Sequence, residues 1–289
     1  MAILVTGGTG KVGTPLVRHL SGQGVDIHVL TRKPDDAELP EGVTAVAGDL
    51  LNIEAMRRAL QPVSTLFLLV PVTPHELTQT LLMLNLAKEA GIERVVYLSV
   101  YGVREYTNVP HCAAKHAAEL MIEQLGIPAT ILRPNSFMQN DLMIRGAIQR
   151  AGLYAFPIGS KGVSSIDVRD IAEVAATAIL RRERSAGPLP TEIINLVGPD
   201  VLTGKASAAI WSNALKRPIT YGGDDTLAFE RQVAKHVPDW NAMDLRLMLD
   251  RFQKDGLRAS AADVDIMTSL LGKTPRRYAD FVAETCVNW

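Results

Sequence analysis

Apolar positions in the first half of the chain alternate between two periods. Ala2 to Thr6, Asp26 to Thr31, Val43 to Gly48, Ser64 to Val70, Arg94 to Val100 and Ala129 to Arg133 are short β-branched or apolar runs that read as strands. Between them, helical patterns lie near Val12 to Gly22, Ile53 to Leu60, Pro74 to Ala90 and Pro110 to Leu125. Most of the strands are apolar on both faces, as strands buried between two helix layers are. Alternation at this spacing predicts an α/β fold, a doubly wound parallel sheet of the Rossmann type. Right-handed crossovers then bring the loops after the strands to one edge, where ligands bind.

After Asn135 the pattern changes. Asp167 to Leu180 reads as a helix with Asp167 as a candidate N-cap, and Glu192 to Gly198 as a strand returning to the sheet. From about Val201 the chain is mostly helical, with "RPITYG" (Arg217 to Gly222) as one short strand. The expected organisation is a nucleotide-binding domain over 1–136 and 163–198. A smaller, mostly helical substrate-binding part, over 137–162 and 199–289, would pack on it as a lid.

Composition narrows the function. Nearly half of the 289 residues are apolar and the formal net charge is −1. Such a balance gives no basic footprint for nucleic acid or an anionic membrane, and neither is expected as a partner. The two cysteines, Cys112 and Cys286, form no CxxC or metal-ligand spacing, nor do the histidines; no metal is assigned, and a reduced setting fits. The opening "AILVTGG" lacks the layout of a signal peptide, and the longest apolar run, "STLFLLVPVTP", is too short to span a bilayer. The expected location is the cytoplasm.

"TGGTGKVG" follows the first strand and opens the first helix. Gly8, Gly10 and Gly13 satisfy the dinucleotide fingerprint, and Gly7, Gly10 and Gly13 its short-chain dehydrogenase variant, with Thr9, Lys11 and Val12 between them. Glycines there allow the tight turn, the close approach of a pyrophosphate and helix–strand packing, while the helix N-terminus offers free N–H groups. The bland alternative is a glycine turn with no ligand. Arg32 and Lys33 come immediately after the second strand, with acids only later at Asp35 and Asp36. A cation there suits the 2′-phosphate of NADP(H), which is preferred over NAD(H); the alternative is two solvated cations. Asp49, followed by Leu50, stands after the third strand where it could hold the adenine amino group.

The chain resembles the NmrA-like group of atypical short-chain dehydrogenases/reductases. The likeness is carried by "ILVTGGTGKVG", "GIERVVYLSVYG", "AAKHAAELMIEQLGIPATILRPNSFMQN", "SSIDVRDIAEVAATAIL" and "LLGKTPRRYADFVAE", which span nearly the whole chain. That group includes quinone reductases, azoreductases, triphenylmethane reductases and NADP-sensing regulators without known turnover. The resemblance implies that Val70, Pro71 and Val72 lie along the cofactor. It also implies that Pro134, Asn135, Ser136 and Phe137 close over the nicotinamide.

The chemistry turns on "HCAAK". His111 and Lys115 have the frame of a Tyr-x-x-x-Lys catalytic pair, with histidine in place of tyrosine. Four residues apart in a helix, they share one face. The resemblance gives Lys115 the nicotinamide ribose; the alternative is an exposed helix cation. His111 reads either as a replacement acid or as a partly buried residue at the site rim. A neighbouring cation would lower its pKa, and nothing in the sequence supplies a carboxylate to orient the ring. Cys112 reads as a small core residue. Losing a general acid costs roughly 10²–10⁴ in rate, which demotes alcohol and sugar substrates. His111→Phe is therefore expected to change turnover less than about tenfold, below that general-acid contribution. Tyr101 and Phe137 are candidate substrate contacts. Tyr154, Phe156, Trp211 and Trp240 read as core, Tyr154 and Phe156 having the better claim to a substrate wall.

The sequence therefore points to an NADPH-dependent reductase that passes hydride to a small, conjugated electron acceptor such as a quinone or an azo dye. A regulator that binds NADP(H) and a protein partner without turnover is the alternative. A sugar-nucleotide epimerase or dehydratase ranks third.

Overall fold

The computed structural model describes residues 1–287 and 289. In chain order the elements are β1 (Ala2–Val5), α1 (Gly13–Leu20), β2 (Asp26–Thr31), β3 (Val43–Ala47), α2 (Ile53–Leu60), β4 (Val63–Leu68), α3 (Glu76–Glu89), β5 (Val95–Leu98), α4 (Pro110–Gln124) and β6 (Ala129–Pro134). There follow β7 (Leu153–Tyr154), α5 (Val168–Glu183), β8 (Glu192–Leu196), α6 (Gly204–Leu215), β9 (Thr220–Tyr221), α7 (Thr226–Val233), α8 (Asp239–Lys254), α9 (Ala261–Leu271) and α10 (Tyr278–Val287). All six strands and four helices expected in the first half form, with ends shifted by a few residues.

The chain divides into two compact units. Met1–Val103, Ala113–Arg133 and Val168–Ile194 make the first; Arg104–Cys112, Pro134–Asp167 and Asn195–Trp289 make the second. Segment 104–112 had been expected in the nucleotide-binding domain. It groups with the second unit, where the Tyr106 hydroxyl donates to the Gly256 carbonyl and Arg251 donates to the Glu105 carbonyl.

A seven-stranded sheet runs in the order β3-β2-β1-β4-β5-β6-β8. The pairs β1–β2, β2–β3, β1–β4, β4–β5 and β5–β6 are parallel. Every residue of β1, β4 and β5 is buried, as continuous apolar runs in a covered sheet require. β3 lies at the edge and is half-buried to exposed, so the expectation of two apolar faces holds for the centre of the sheet. In the first unit Leu66, Leu68, Met83, Leu84, Val95, Ile122 and Ile131 share one core. Each such side chain taken from water contributes about 1.5–3 kcal/mol before the entropy of ordering is subtracted. The order of strands reverses between β1 and β4, so the loops after these two strands flank the crevice where open α/β sheets bind ligands.

The second unit carries α6 to α10, the parallel pair β7–β9 and, among the described residues, isolated bridges such as those of Phe137 with Ile166 and of Val163 with Leu202. β7, with only two residues, is too short for periodicity to reveal. Trp211 is fully buried and stacks on Trp289, ring centroids 4.7 Å apart. Trp240, read as core, is instead 39% exposed on the first turn of α8.

Candidate active site

The four glycines of the first turn differ in what surrounds them: a Cβ on Gly8 would meet the Val29 side chain at 2.6 Å. Gly7 has φ +66°, left-handed backbone that other residues adopt only with strain. A Cβ on Gly13 would lie 2.0 Å from the Gly7 carbonyl oxygen, inside the turn itself. A Cβ on Gly10 would meet only that same oxygen, at 3.2 Å, and otherwise points into open space. Gly7 and Gly13 therefore make the turn, and Gly10 leaves room beside it. Val12 caps α1 without a side-chain hydrogen bond, and the first turn of the helix carries no acid. Thr14 and Leu16 already donate to the Gly10 and Val12 carbonyls at 2.9 and 3.2 Å, and Pro15 has no N–H, so the Val12 and Gly13 N–H groups are the ones left for an anion. These features fit a dinucleotide pyrophosphate.

Thr6 links the two loops that flank the crevice: its hydroxyl donates to the Leu69 carbonyl and accepts from the Leu69 amide, both at 2.8 Å. Val70 beyond it is buried, while Pro71 and Val72 are exposed. Thr9, Lys11, Arg32, Lys33 and Asp49 are also exposed, and Leu50 is half-buried. Lys33 lies 3.6 Å from Asp36, a surface pair of little energetic weight; Arg32 has no ion pair among the described residues. One Asp49 oxygen accepts the Leu51 amide at 2.9 Å.

Lys115 is not an exposed cation. It is 8% exposed, its ammonium 2.8 Å from a carboxylate oxygen of Glu76, which is 3% exposed at the start of α3. The ammonium also donates to the Leu98 carbonyl at 3.3 Å and lies 5.8 Å from the centre of the Tyr97 ring. A buried charge needs such partners. Tyr101 is half-buried in the same unit.

His111 belongs to the second unit, and there the carboxylate missing from the sequence reading appears. Nδ1 lies 2.6 Å from Asp244 Oδ2, and the His111 backbone N–H donates to Asp244 Oδ1 at 3.0 Å. On its other side Nε2 is 3.5 Å from the Cys112 sulfur. Burial alone would lower the imidazole pKa, but the hydrogen bond to Asp244 reverses this and holds it above the ordinary histidine range. The expected downward shift is therefore corrected, because an acid and not a cation faces the ring. Cys112 is buried, as a core residue should be.

Phe137, Tyr154 and Phe156 line one cavity in the second unit, together with Asp141 and Tyr278. Asp141, 5% exposed, accepts from Tyr154 Oη at 3.1 Å, from Trp211 Nε1 at 3.2 Å and from the Tyr278 hydroxyl. Burial pushes its pKa up to about 6 against the pull of these donors. Ser136 lines the same cavity. Pro134 and Asn135 are buried. Asn135 spends its side chain inside the unit, donating to the Leu257 carbonyl at 2.9 Å and accepting the Ser136 amide at 2.7 Å. Its part in the loop is thus to fix the loop's shape. Among the described residues no group of three His, Cys, Asp or Glu is placed to hold a metal ion, and no helix is long and apolar enough to cross a membrane.

Residues 1–268 match the model of the NmrA-like family. The chain belongs to that family. Among its NmrA-like relatives is an NAD(P)H azoreductase from Xenophilus azovorans, 33% identical over 225 residues that cover 76% of each chain. The fold is that of an Escherichia coli NADPH-dependent quinone oxidoreductase solved with NADPH (TM-score 0.86, 24% identity, 98% of this chain and 99% of that one). It is also that of the triphenylmethane reductase of Citrobacter sp. (TM-score 0.85, 21% identity, the full length of both). Within this NmrA-like framework the sequence reading missed Glu76, Asp141 and Asp244. Each is a lone acid at a position that folding buries, and its partner lies far along the chain. A polar residue in an otherwise apolar helical stripe, as at Asp244 in "NAMDLRLML", was the available signal.

Proposed function

We propose that the chain is an NADPH-preferring reductase whose acceptor is a planar, conjugated, electron-poor molecule such as a quinone or azo compound. The observation that carries the reading is the open side of the turn at Gly10, beside the Val12 and Gly13 N–H groups at the switch point of the sheet. The resemblance to an NAD(P)H azoreductase supports the acceptor class, as does the absence of tyrosine from the His111–Lys115 frame.

When bound, the dinucleotide supplies a hydride from its reduced nicotinamide. The chain's own residues bind and orient. The Gly7–Gly13 turn receives the pyrophosphate, and Arg32 with Lys33 receives the 2′-phosphate. Lys115, held by Glu76 at 2.8 Å, is poised for the ribose. Phe137, Tyr154 and Phe156 would form the wall for a flat acceptor, but the cavity they line has room for about one water, so the acceptor would have to open it. The test is NADPH oxidation by the purified protein against a panel of quinones, azo dyes and cationic dyes. Turnover of quinones or azo dyes, faster with NADPH than with NADH, is the expected result. Tight NADPH binding with no turnover of any acceptor would overturn the reading in favour of a cofactor-sensing regulator.

A further inference from the structure

His111, Cys112 and Asp244 form a chain of contacts that the reductase reading does not use. One carboxylate holds the histidine twice: Asp244 Oδ2 accepts from the ring and Oδ1 accepts from the backbone. Both partners are nearly buried, with side-chain exposures of 10% for His111 and 2% for Asp244. A carboxylate withdrawn from water requires a counter-charge, and the imidazolium is the one it has. The Nδ1 proton is therefore bound tightly. The proton on Nε2 is not, because the neighbour there is the Cys112 sulfur at 3.5 Å, a weak acceptor. The two protons of one ring are held with unequal strength, and the one on Nε2 is the one that leaves when a stronger base arrives. His111 also stands one helical turn before Lys115 on α4.

We infer that His111 is the proton donor of the reaction and that Asp244 is its positioning residue. The inference rests on the reductase reading, adds the source of the proton, and reverses the expectation that His111 can be replaced at little cost to turnover of every acceptor. A neutral acceptor gains two electrons and one proton together, as hydride, and becomes an anion. That anion takes the proton from Nε2: the N–H bond breaks and an O–H or N–H bond forms on the product. A neutral imidazole remains, its Nδ1–H still donating to Asp244, and water replaces the lost proton. The titratable groups facing the ring are Asp244, from α8, and Cys112, from its own helix.

This role sorts acceptors by their chemistry. Hydride addition to an azo bond leaves a strongly basic nitrogen anion, and addition to a quinone leaves a less basic oxygen anion. A cationic triarylmethyl dye becomes neutral on taking hydride and needs no proton at all. A donor acid should matter for the first, less for the second and least for the third.

The test uses the full-length protein and His111→Asn, whose amide can keep the hydrogen bond to Asp244 but carries no transferable proton. Azo turnover should fall by about 10²–10⁴-fold, the usual general-acid contribution. Cationic-dye turnover should fall less than about tenfold, below that contribution. In wild type the azo rate should drop as pH rises through the histidine pKa, and in Asp244→Asn this limb should move to lower pH. A readout without turnover accompanies these. Imidazole NMR resonances of the cofactor-free protein should show His111 titrating above the ordinary value of ~6.5, and at lower pH in Asp244→Asn. If His111→Asn keeps azo turnover within tenfold, the donor role is overturned while the reductase reading survives. If no acceptor is reduced by wild type, both fall. An ordinary His111 titration, indifferent to Asp244→Asn, overturns the pair whether or not His111→Asn folds.

Discussion

The glycine turn of the first unit and the carboxylates of the second manage negative charge in opposite ways. The turn keeps its own acids away and offers backbone N–H groups to an anion that arrives from outside. The second unit buries anions of its own, Asp141 and Asp244, and satisfies them with hydroxyl, indole and imidazole donors. A backbone site does not titrate and is lost only when its geometry is lost. A site made by side chains titrates, and a single atom changes it. Substitutions in the turn should therefore act through shape, and those at the buried carboxylates of the second unit through pH.

The sharpest way to break this contrast lies within the turn. Gly13→Val places carbon in the Gly7 carbonyl and should cost the fold more than about 4 kcal/mol, an exceptional loss for one residue. A Cβ at residue 10 would meet only one oxygen, at 3.2 Å, and Gly10→Val adds its branches beyond it. It should keep its melting temperature within a few degrees and lose NADPH affinity by more than about a hundredfold, roughly 2.7 kcal/mol. Thermal melts and calorimetric titration measure the two effects. Equal damage to stability from both substitutions would mean that Gly10 belongs to the turn and not to the ligand.

Lys115 tests one of the places in the first unit where a side-chain charge is buried. Lys115→Ala would strand Glu76, which is 3% exposed, and the loss should be about 3–5 kcal/mol of stability. Pairing Lys115→Met with Glu76→Gln should recover most of it, because no charge is then left alone. Denaturant unfolding of the three proteins decides this. A single mutant as stable as wild type would show that water reaches the pair.

Arg32→Ala should have a smaller effect, confined to one cofactor. A lost charge-assisted contact costs about 1.5–3 kcal/mol, so NADPH binding should weaken by more than about tenfold. NADH binding should hardly change, since NADH has no 2′-phosphate. Equal weakening of both would place Arg32 elsewhere on the dinucleotide.

The same contrast explains what the sequence disclosed. Strand and helix periods are local, so β1 to β6 and the helices between them could be placed from neighbours alone. The turn was legible for the same reason: Gly7, Gly10 and Gly13 act on each other within a few residues. The pairing of His111 with Asp244 spans 133 positions, and that of Asp141 with Tyr278 spans 137. No period or spacing connects residues so far apart. The frame of His111 and Lys115 could be seen, but its environment could not, and the environment reverses the direction in which the histidine pKa moves.

Asp141 gives the smallest effect and the cleanest reading of a titrating site. Its folded pKa is pushed up to about 6 by burial, while an unfolded aspartate titrates near ~3.9. Between these values the folded state holds a proton that the unfolded state has released. The stability contributed by the protonated group is complete below the unfolded pKa and is lost as pH rises through the folded one. Wild type should therefore lose stability from about pH 4 to pH 7 through this residue, on the order of 2 kcal/mol. Asp141→Asn cannot ionise, so its stability relative to wild type should rise over that window and level off above it. Urea unfolding at intervals from pH 4 to pH 8 measures the difference. A constant difference across the range would mean that Tyr154, Trp211 and Tyr278 stabilise the anion enough to cancel its burial, and that this carboxylate, like the turn at Gly10, is indifferent to pH.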